Sequence, residues 1–123
     1  MKRLKLHEMT SEQLVELFAA IGEKQFDAIL YDELAKYNKL FEQKTAIMVE
    51  LKSRPGDQRN LLVSLFDHDN IQVRLNAAKA TLAVAPQAAR QMLETIFKTN
   101  KGPQGGDAGM CLWNLDRGVF KPT

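Results

Sequence analysis

The chain has 123 residues, of which 45% are hydrophobic, and its 17 basic and 15 acidic residues leave a net charge of +2. This length fits a single domain, residues 1–123, with a core of its own. Charges of both signs alternate along the chain, which argues against a strong binder of nucleic acid or another polyanion.

Cys111 is the only cysteine, so no disulfide bond can form within the chain. No apolar segment of signal-peptide length follows the basic residues Lys2, Arg3 and Lys5, and no segment is long and apolar enough to span a membrane. These features predict a cytoplasmic protein.

The first predicted helix begins after Thr10, because Thr10 and Gln13 have the spacing of a capping box. Leu14, Leu17, Phe18 and Ile21 form its first apolar stripe. A second stripe, displaced by nearly half a turn, then takes over: Phe26, Leu30, Leu34, Tyr37 and Phe41. Both a break near Gly22 and one long helix contacted from two sides fit this change.

Residues 41–52 predict a further helix, which follows a candidate break at Asn38 and is ended by residues 53–56. Asp57 is then in place to cap a short helix. The buried edge of this short helix would consist of Leu61, Leu62, Leu65 and Phe66. With the helix that follows, it would form a helical hairpin.

Asn70 is a good N-cap for the next helix, which we expect to run to Ala85 because no glycine or proline interrupts it. At about 100° per residue, this helix carries two apolar stripes on nearly opposite sides. They are Ile71, Leu75, Ala78 and Leu82, and Val73, Ala77, Ala80 and Val84, with Gln72, Asn76 and Lys79 on a polar edge between them. A helix that is apolar on two sides is packed on both, so we place it inside a stack of helices.

Two more helices are predicted in the last third of the chain. Pro86 suits the first turn of one of them, residues 98–106 form a polar, glycine-containing loop, and Asp107 caps the last short helix. The spacing between the caps Asn70 and Asp107 falls in the range of about 20–50 residues that is typical of helical repeats. No stretch alternates as a strand would.

The segment from Leu65 to Leu82 resembles a HEAT repeat. The matching positions are Leu65, Phe66, Val73, Arg74, Ala77, Ala78 and Leu82. His68 stands where that family usually has aspartate, so the usual Asp–Arg pair would have to come from Asp67 or Asp69, with Arg74 as a structural bridge. The predicted fold class is therefore all-α, a HEAT-like α-α superhelix of about six or seven helices.

Over nearly its whole length the chain also resembles a small bacterial family, domain of unknown function 2019. The segments that carry this resemblance are residues 14–18, 31–38, 72–75 with the alanines after them, 106–110 and 115–122. The resemblance implies a HEAT-like fold. It transfers no functional residue, because the family has no established biochemical role.

Three features of the sequence offer chemistry, and we interpret each of them structurally. Asp67, His68 and Asp69 are metal-ligand types, but adjacent residues rarely converge on one ion, so we interpret them as an inter-helix turn. Cys111 has a core-facing position and is interpreted as a buried residue, not a nucleophile. Residues 101–107 lack the Gly-Lys-Ser/Thr ending of a phosphate-binding loop. We therefore predict no catalytic residue, metal or cofactor.

Nucleic-acid binding would need a basic surface, and five side chains are available to line one: Arg54, Arg59, Arg74, Arg90 and Lys98. Their acidic neighbours and the near-neutral total charge argue for local ion pairs instead.

Aromatic residues are the candidates for binding a protein partner, because such side chains anchor interfaces. Tyr31, Trp113 and Phe120 lie off the apolar stripes or near helix ends, and we predict them as partner-binding residues. Tyr37 lies on a stripe and is predicted to be a core residue. For Phe120, a competing interpretation is that residues 118–122 pin the tail to the last helix.

The predicted function is that of a protein–protein interaction module, which works by the shape of its surface. A narrower alternative, an immunity or antitoxin-type inhibitor of a toxin, is suggested by other small bacterial helical-repeat proteins and by no motif in this chain. Nucleic-acid binding is a second alternative. An enzyme is the third, and it would need a cleft that gathers residues such as Tyr31, Glu33, Asp67 and His68. The partner and the oligomeric state stay open.

Overall fold

The computed structural model describes residues 5–123. These residues form five α-helices and two 3-10 helices and no strand, so the all-α prediction is confirmed. The α-helices are α1 (Ser11–Leu30), α2 (Leu34–Ser53), α3 (Ile71–Ala80), α4 (Pro86–Thr99) and α5 (Pro103–Asp116), and the 3-10 helices are Leu6–Glu8 and Gln58–Asp67. Lys2 and Arg3, which entered the signal-peptide prediction, lie outside the described residues. Within the described range, no helix has the length and apolar character needed to cross a membrane.

α1 begins as predicted and does not break at Gly22. Thr10 Oγ1 accepts a hydrogen bond from the Gln13 amide (3.1 Å), and Gln13 Oε1 accepts one from the Thr10 amide (2.9 Å), which completes the capping box. Gly22 lies against α3, where a Cβ would come within 2.8 Å of Val73 Cγ2. The glycine therefore permits two helices to approach closely, and α1 runs without a break from Ser11 to Leu30. The break falls instead at residues 31–33, inside the second apolar stripe, where the sequence did not predict one.

A tight turn joins α1 and α2 into an antiparallel hairpin. Asp32 has a positive φ (56°), and the Glu33 amide donates to Ala28 O (2.8 Å). α2 then runs unbroken to Ser53, so the predicted break at Asn38 is wrong. Asn38 is exposed, where a polar side chain weakens a helix only slightly. The predicted end of this helix at residues 53–56 is confirmed.

The segment after α2 is helical but forms a 3-10 helix. Asp57 adopts a φ of 51° and caps this helix by accepting from the Arg59 amide (3.3 Å). Arg59 Nη2 also donates to Asp57 Oδ2 (2.6 Å). Of the predicted buried edge, Leu62 and Leu65 are buried, Phe66 is half-buried and Leu61 is exposed.

α3 is shorter than predicted. The Asn70 side chain caps it by accepting from two amides of the first turn (2.9 and 3.4 Å), which confirms the predicted cap. The helix ends at Ala80 and residues 81–85 form a turn, so the predicted end at Ala85 is wrong. Pro86 disfavours the α conformation at Ala85, which keeps the helix from reaching that residue.

Two hydrophobic cores lie on either side of α3, which confirms that this helix is packed on two sides. One stripe, Ile71, Leu75, Ala78 and Leu82, lies in the core shared with α4 and α5, and Val73, Ala77 and Ala80 lie in the core shared with α1 and α2. Phe66 packs against both cores and joins them.

Most of the loop predicted for residues 98–106 is helix. α4 continues into it, and α5 already starts at Pro103. Asn100 makes the short connection possible, because its Oδ1 accepts from the Gly105 amide (3.0 Å) in the first turn of α5. Asp107 consequently lies inside α5, and the prediction that it caps this helix is wrong.

Candidate functional site

The three predicted partner-binding residues lie in three different elements. Tyr31, 70% exposed, is in the turn between α1 and α2, and Trp113, 57% exposed, is on α5. Phe120, 40% exposed, belongs to the tail, where its amide donates to Asn114 O (3.1 Å) and folds the tail back on α5. Trp113 and Phe120 therefore lie on α5 and in the tail beside it, whereas Tyr31 lies in the hairpin of α1 and α2.

Trp113 belongs to an apolar surface, here called the α5 patch, that consists of Phe97, Met110 and Trp113. All three side chains are more than half exposed. Met110 and Trp113 are neighbours at i, i+3, and Phe97 covers Gly109, where a Cβ would come within 2.6 Å of the Phe97 ring. The guanidinium carbon of Arg117 lies 5.3 Å from the centroid of the Trp113 ring. The sequence analysis missed Phe97 and Met110, because α4 and α5 each have a stronger apolar stripe that faces the core.

The second apolar stripe of the N-terminal hairpin is exposed over much of its length. Leu30, Leu34 and Phe41 are exposed, whereas Phe26 and Tyr37 are half-buried. Tyr37 packs against the core, in agreement with its prediction as a core residue. The hairpin of α1 and α2 therefore carries a second apolar surface.

Four buried amide side chains, here called the polar seam, connect α1, α3 and α5: Gln25, Gln72, Asn76 and Gln104. Gln104 Nε2 donates to Gln72 Oε1 (3.1 Å). Gln72 Nε2 donates to Asn76 Oδ1 (2.9 Å), and Asn76 Nδ2 donates to Gln25 Oε1 (2.6 Å). Three of the four amides thus donate to the next one, in the order Gln104, Gln72, Asn76, Gln25. Among the described residues, the Nε2 group of the last amide, Gln25, is buried without a hydrogen-bond partner.

A charged pair lies beside the polar seam, one helical turn further along α3 and α5. Lys79 Nζ is 2.9 Å from Asp107 Oδ1. These two residues follow Asn76 and Gln104 at the i+3 positions of their helices, so the ion pair continues the line of contacts between α3 and α5. Asp107, predicted as a helix cap, thus bridges two helices instead.

Lys44 of α2 has an altered protonation equilibrium. Burial, and then the positive charge of Lys79, lower its pKa from 10.5 to about 8, while Asp107 acts in the opposite direction. Its ammonium group lies 4.3 Å from the centroid of the Phe41 ring, which presents the negative face of its π system. Burial, and then Asp107, raise the pKa of Tyr37. The charges of α3 and α5 therefore act on α2.

Cys111 is buried, as predicted, in the core shared by α3, α4 and α5. Burial is the largest cause that raises the pKa of its thiol, and Lys79 acts in the opposite direction. The thiol is therefore protonated near neutral pH, and its contacts are those of a small core residue.

Residues 67–69 form the turn between the 3-10 helix and α3. His68 Nδ1 accepts from a backbone amide (3.0 Å), and His68 Nε2 lies 3.6 Å from Glu23 Oε1. Across residues 5–123, no three His, Cys, Asp or Glu side chains are grouped closely enough to hold a metal ion. Tyr31 and Glu33, considered with His68 for an enzyme site, lie in the turn between α1 and α2.

The basic residues considered for nucleic-acid binding have varied surroundings. Arg54 donates to two carbonyl groups and one hydroxyl of the N-terminal residues, and Arg59 and Arg90 are ion-paired with aspartates. Arg74 Nε is buried without a hydrogen-bond partner in the described part of the chain. In residues 5–123 Arg74 also forms no ion pair with Asp67 or Asp69, so the Asp–Arg pair that the HEAT resemblance implied is absent there. Lys98 is exposed.

The tail after α5 contacts the body of the protein. Its Pro122 lines a shallow open depression of about 340 Å³ together with Leu82, Ala83, Pro86, Arg90 and Leu115. Arg59 Nη2 donates to Thr123 O (3.4 Å). These contacts agree with the interpretation that residues 118–122 pin the tail.

The structure defines an all-α protein whose helices are joined by a buried line of amides and which exposes apolar side chains on α2 and α5. The chain belongs to the family described as domain of unknown function 2019, whose model matches residues 12–116. It is 53% identical to the protein RPA1889 from Rhodopseudomonas palustris CGA009, and the match covers 98% of this chain and 100% of that chain with a TM-score of 0.95 to its crystal structure. No curated protein matches the chain.

Proposed function

We propose that this protein is a single HEAT-like domain that acts as a protein–protein interaction module. Helical hairpins follow one another along the chain: α1 with α2, the 3-10 helix Gln58–Asp67 with α3, and α4 with α5. α3 packs on elements of both neighbouring hairpins, and Phe66 is common to the two cores. Stacked hairpins of this kind present an extended surface to a partner.

The α5 patch is the observation that carries this proposal. Phe97, Met110 and Trp113 are exposed on helices that bury other apolar side chains in the core. Tryptophan and arginine are enriched among the residues that dominate the binding energy of interfaces. The Arg117 guanidinium lies over the Trp113 ring, so the two residue types that most often anchor interfaces are neighbours on this surface.

The interior of the protein supports a scaffold and not a reaction centre. The amides of the polar seam hydrogen-bond with one another, and the Lys79–Asp107 ion pair connects α3 to α5. The thiol of Cys111, the strongest nucleophile type in the chain, is buried and protonated. The surface of the protein is therefore where we place its function.

A photo-crosslinking amino acid at position 110, in cells of the source organism, tests this proposal. The matched control carries the same amino acid in place of Leu61, an exposed leucine of the 3-10 helix outside the α5 patch. We expect a partner protein to be crosslinked from position 110 and not from position 61, and to be lost when Trp113→Ala is added. Equal crosslinking from both positions, or a partner that Trp113→Ala leaves unchanged, would contradict the proposal.

A further inference from the structure

We infer that the partner of the α5 patch presents an acidic segment, in which aspartate or glutamate residues flank apolar side chains. This inference rests on the proposed function, because it names the chemistry of the partner that the same surface takes. The distribution of charge around the α5 patch carries it.

The positive charge of the protein is concentrated in the part of the chain that carries the α5 patch. Residues 86–123, here called the C-terminal segment, contain five basic and three acidic residues and have a net charge of +2. The whole chain has the same net charge, so residues 1–85 are neutral overall. A partner that approaches the α5 patch therefore meets the basic part of the protein.

All three carboxylates of the C-terminal segment are held in ion pairs within the fold. Arg90 Nη2 lies 2.9 Å from Asp116 Oδ1, and Arg90 Nε lies 3.9 Å from Glu94 Oε1. Asp107 Oδ1 lies 2.9 Å from Lys79 Nζ of α3. Only one basic residue of the C-terminal segment, Arg90, takes part in these pairs. The other basic residues of this segment are left without an acidic partner in the described part of the chain.

Three of these basic side chains lie next to the α5 patch, and all three are exposed. Lys98 follows Phe97 at the end of α4, and Lys101 lies in the connection before α5. Arg117 is the residue that ends α5, and its guanidinium lies over the Trp113 ring. Basic groups therefore stand near both ends of α5, which is about 20 Å long, and the apolar side chains lie between them.

An apolar centre between basic groups favours an acidic protein segment over nucleic acid. Protein interfaces combine an apolar centre with a polar rim, and complementary charges at the rim give them specificity. Nucleic acids are held mainly through many phosphate contacts, for which three basic side chains are few. A protein segment with apolar side chains in its middle and carboxylates towards its ends matches both parts of this surface.

The small size of the α5 patch increases the importance of charge. Three exposed apolar side chains are few for a standard interface, so we place the contact among the small, transient ones. The unpaired basic groups favour acidic segments and repel basic ones, which gives a small surface its selectivity.

Two synthetic helical peptides test this inference by the fluorescence of Trp113, which is the only tryptophan of the chain. Both peptides are about 14 residues long, to match the length of α5, and carry leucine and phenylalanine at the same positions. The other positions are glutamate in one peptide and lysine in the other. We expect the glutamate peptide to shift the Trp113 emission to shorter wavelength and to bind at least tenfold more tightly than the lysine peptide. Its affinity should fall as salt is raised from about 0.05 M to about 0.5 M.

Lys101→Glu reverses one charge beside the α5 patch without touching Trp113, and should weaken binding of the glutamate peptide several-fold. The matched control is Lys36→Glu, which makes the same change of net charge at an exposed position of α2 and should leave this binding unchanged. Both side chains are exposed, so both variants should keep the fold, and circular dichroism checks this.

Equal effects of the two peptides, including no effect of either, would overturn the inference. An equal loss of binding in Lys101→Glu and Lys36→Glu would overturn it too, since the charge beside the α5 patch would then have no special role. A single-stranded thymidine oligonucleotide that bound as tightly as the glutamate peptide would assign the basic groups to nucleic acid instead. If position 110 still crosslinked to a partner in any of these cases, the proposed function would stand and only the acidic partner would be wrong.

Discussion

The side chains of Gln25 and Asn76 are joined by a hydrogen bond of 2.6 Å between two buried amides, one in α1 and the other in α3. Asn76 also accepts from Gln72, which in turn accepts from Gln104 of α5. One line of amides thus links three helices. Because a buried amide without a partner is costly, this line disfavours other alignments of the helices as well as stabilising the observed one.

Replacing Asn76 with alanine would leave Gln25 Oε1 and Gln72 Nε2 without their partner. Each orphaned group costs about 1–3 kcal/mol, so we expect the free energy of unfolding to fall by about 2–4 kcal/mol. Urea unfolding followed by circular dichroism measures this change. Asn38→Ala, on the exposed surface of α2, is the control and should change the free energy of unfolding by less than about 0.5 kcal/mol.

A double-mutant cycle separates the Gln25–Asn76 hydrogen bond from the loss of packing. Gln25→Ala and Asn76→Ala should together destabilise the protein by less than the sum of the single changes, because each single variant already breaks the bond that they share. The four free energies of unfolding give the coupling energy. Strictly additive changes would show that the two amides do not stabilise each other.

Lys44 makes the stability of the protein depend on pH. Its pKa is about 8 in the folded protein and 10.5 ordinarily, so between these values the unfolded chain binds more protons than the folded one. Stability therefore rises with pH across this interval. Below pH 8 Lys44 is protonated in both the folded and the unfolded protein, so the burial of its charge lowers the free energy of unfolding by its largest, constant amount.

Lys44→Met removes this charge and keeps an unbranched side chain. We expect the variant to be more stable than the wild type at pH 7, by about 1–3 kcal/mol, and the difference to shrink as the pH rises from 8 towards 10. Urea unfolding at a series of pH values measures it. Lys36→Met, on the exposed side of α2, should show no such trend. A difference that stayed constant with pH would refute the lowered pKa of Lys44.

Asp107→Asn should have a small effect on stability and a distinct effect on Lys44. The ion pair with Lys79 is about one third exposed, so its loss should lower the free energy of unfolding by only about 0.5–1 kcal/mol. Asp107 raises the pKa of Lys44, so that pKa should fall further in the variant. NMR titration of the Lys44 side chain measures the shift. Asp116→Asn, which removes a more exposed pair with Arg90, should leave it unchanged.

The spacing of residues along the sequence correctly predicted those features of the fold that depend on residues of a single helix. The Asn70 cap and the two apolar sides of α3 depend on residues within one helix, and both predictions are confirmed. Gln72 and Asn76 were predicted only as part of a polar edge, and not as hydrogen-bonding residues of the interior. Their partners in α5 and α1 lie 32 and 51 positions away along the chain. A pattern within one helix does not show which side chain of a distant helix lies opposite.

The exposed surface of α2 illustrates the same limit for apolar residues. Periodicity correctly placed Leu34 and Phe41 on one face, but it does not show whether another helix covers that face. Both side chains are exposed, so an apolar stripe with the spacing of a core-facing stripe lies on the surface of this protein. The start of α5 was mistaken for a related reason, since glycines in a loop and glycines in a tightly packed helix look alike in a sequence.

Gly105 and Gly106 are neighbours for which we expect opposite effects of alanine. A Cβ on Gly105 would overlap the carbonyl group of Asn100, which is backbone and does not move aside, whereas a Cβ on Gly106 meets no atom within 4 Å. Gly105→Ala should lower the free energy of unfolding by about 2–4 kcal/mol. Gly106→Ala should raise it by about 0.5–1 kcal/mol, because both residues lie in α5 and alanine favours a helix.

Thermal denaturation of the Gly105→Ala and Gly106→Ala variants beside the wild type gives the comparison. Each variant adds one methyl group to α5, so helix propensity affects the stability of both. Only the methyl group at position 105 meets the backbone of Asn100. Equal shifts in melting temperature would mean that Gly105 does not pack against Asn100.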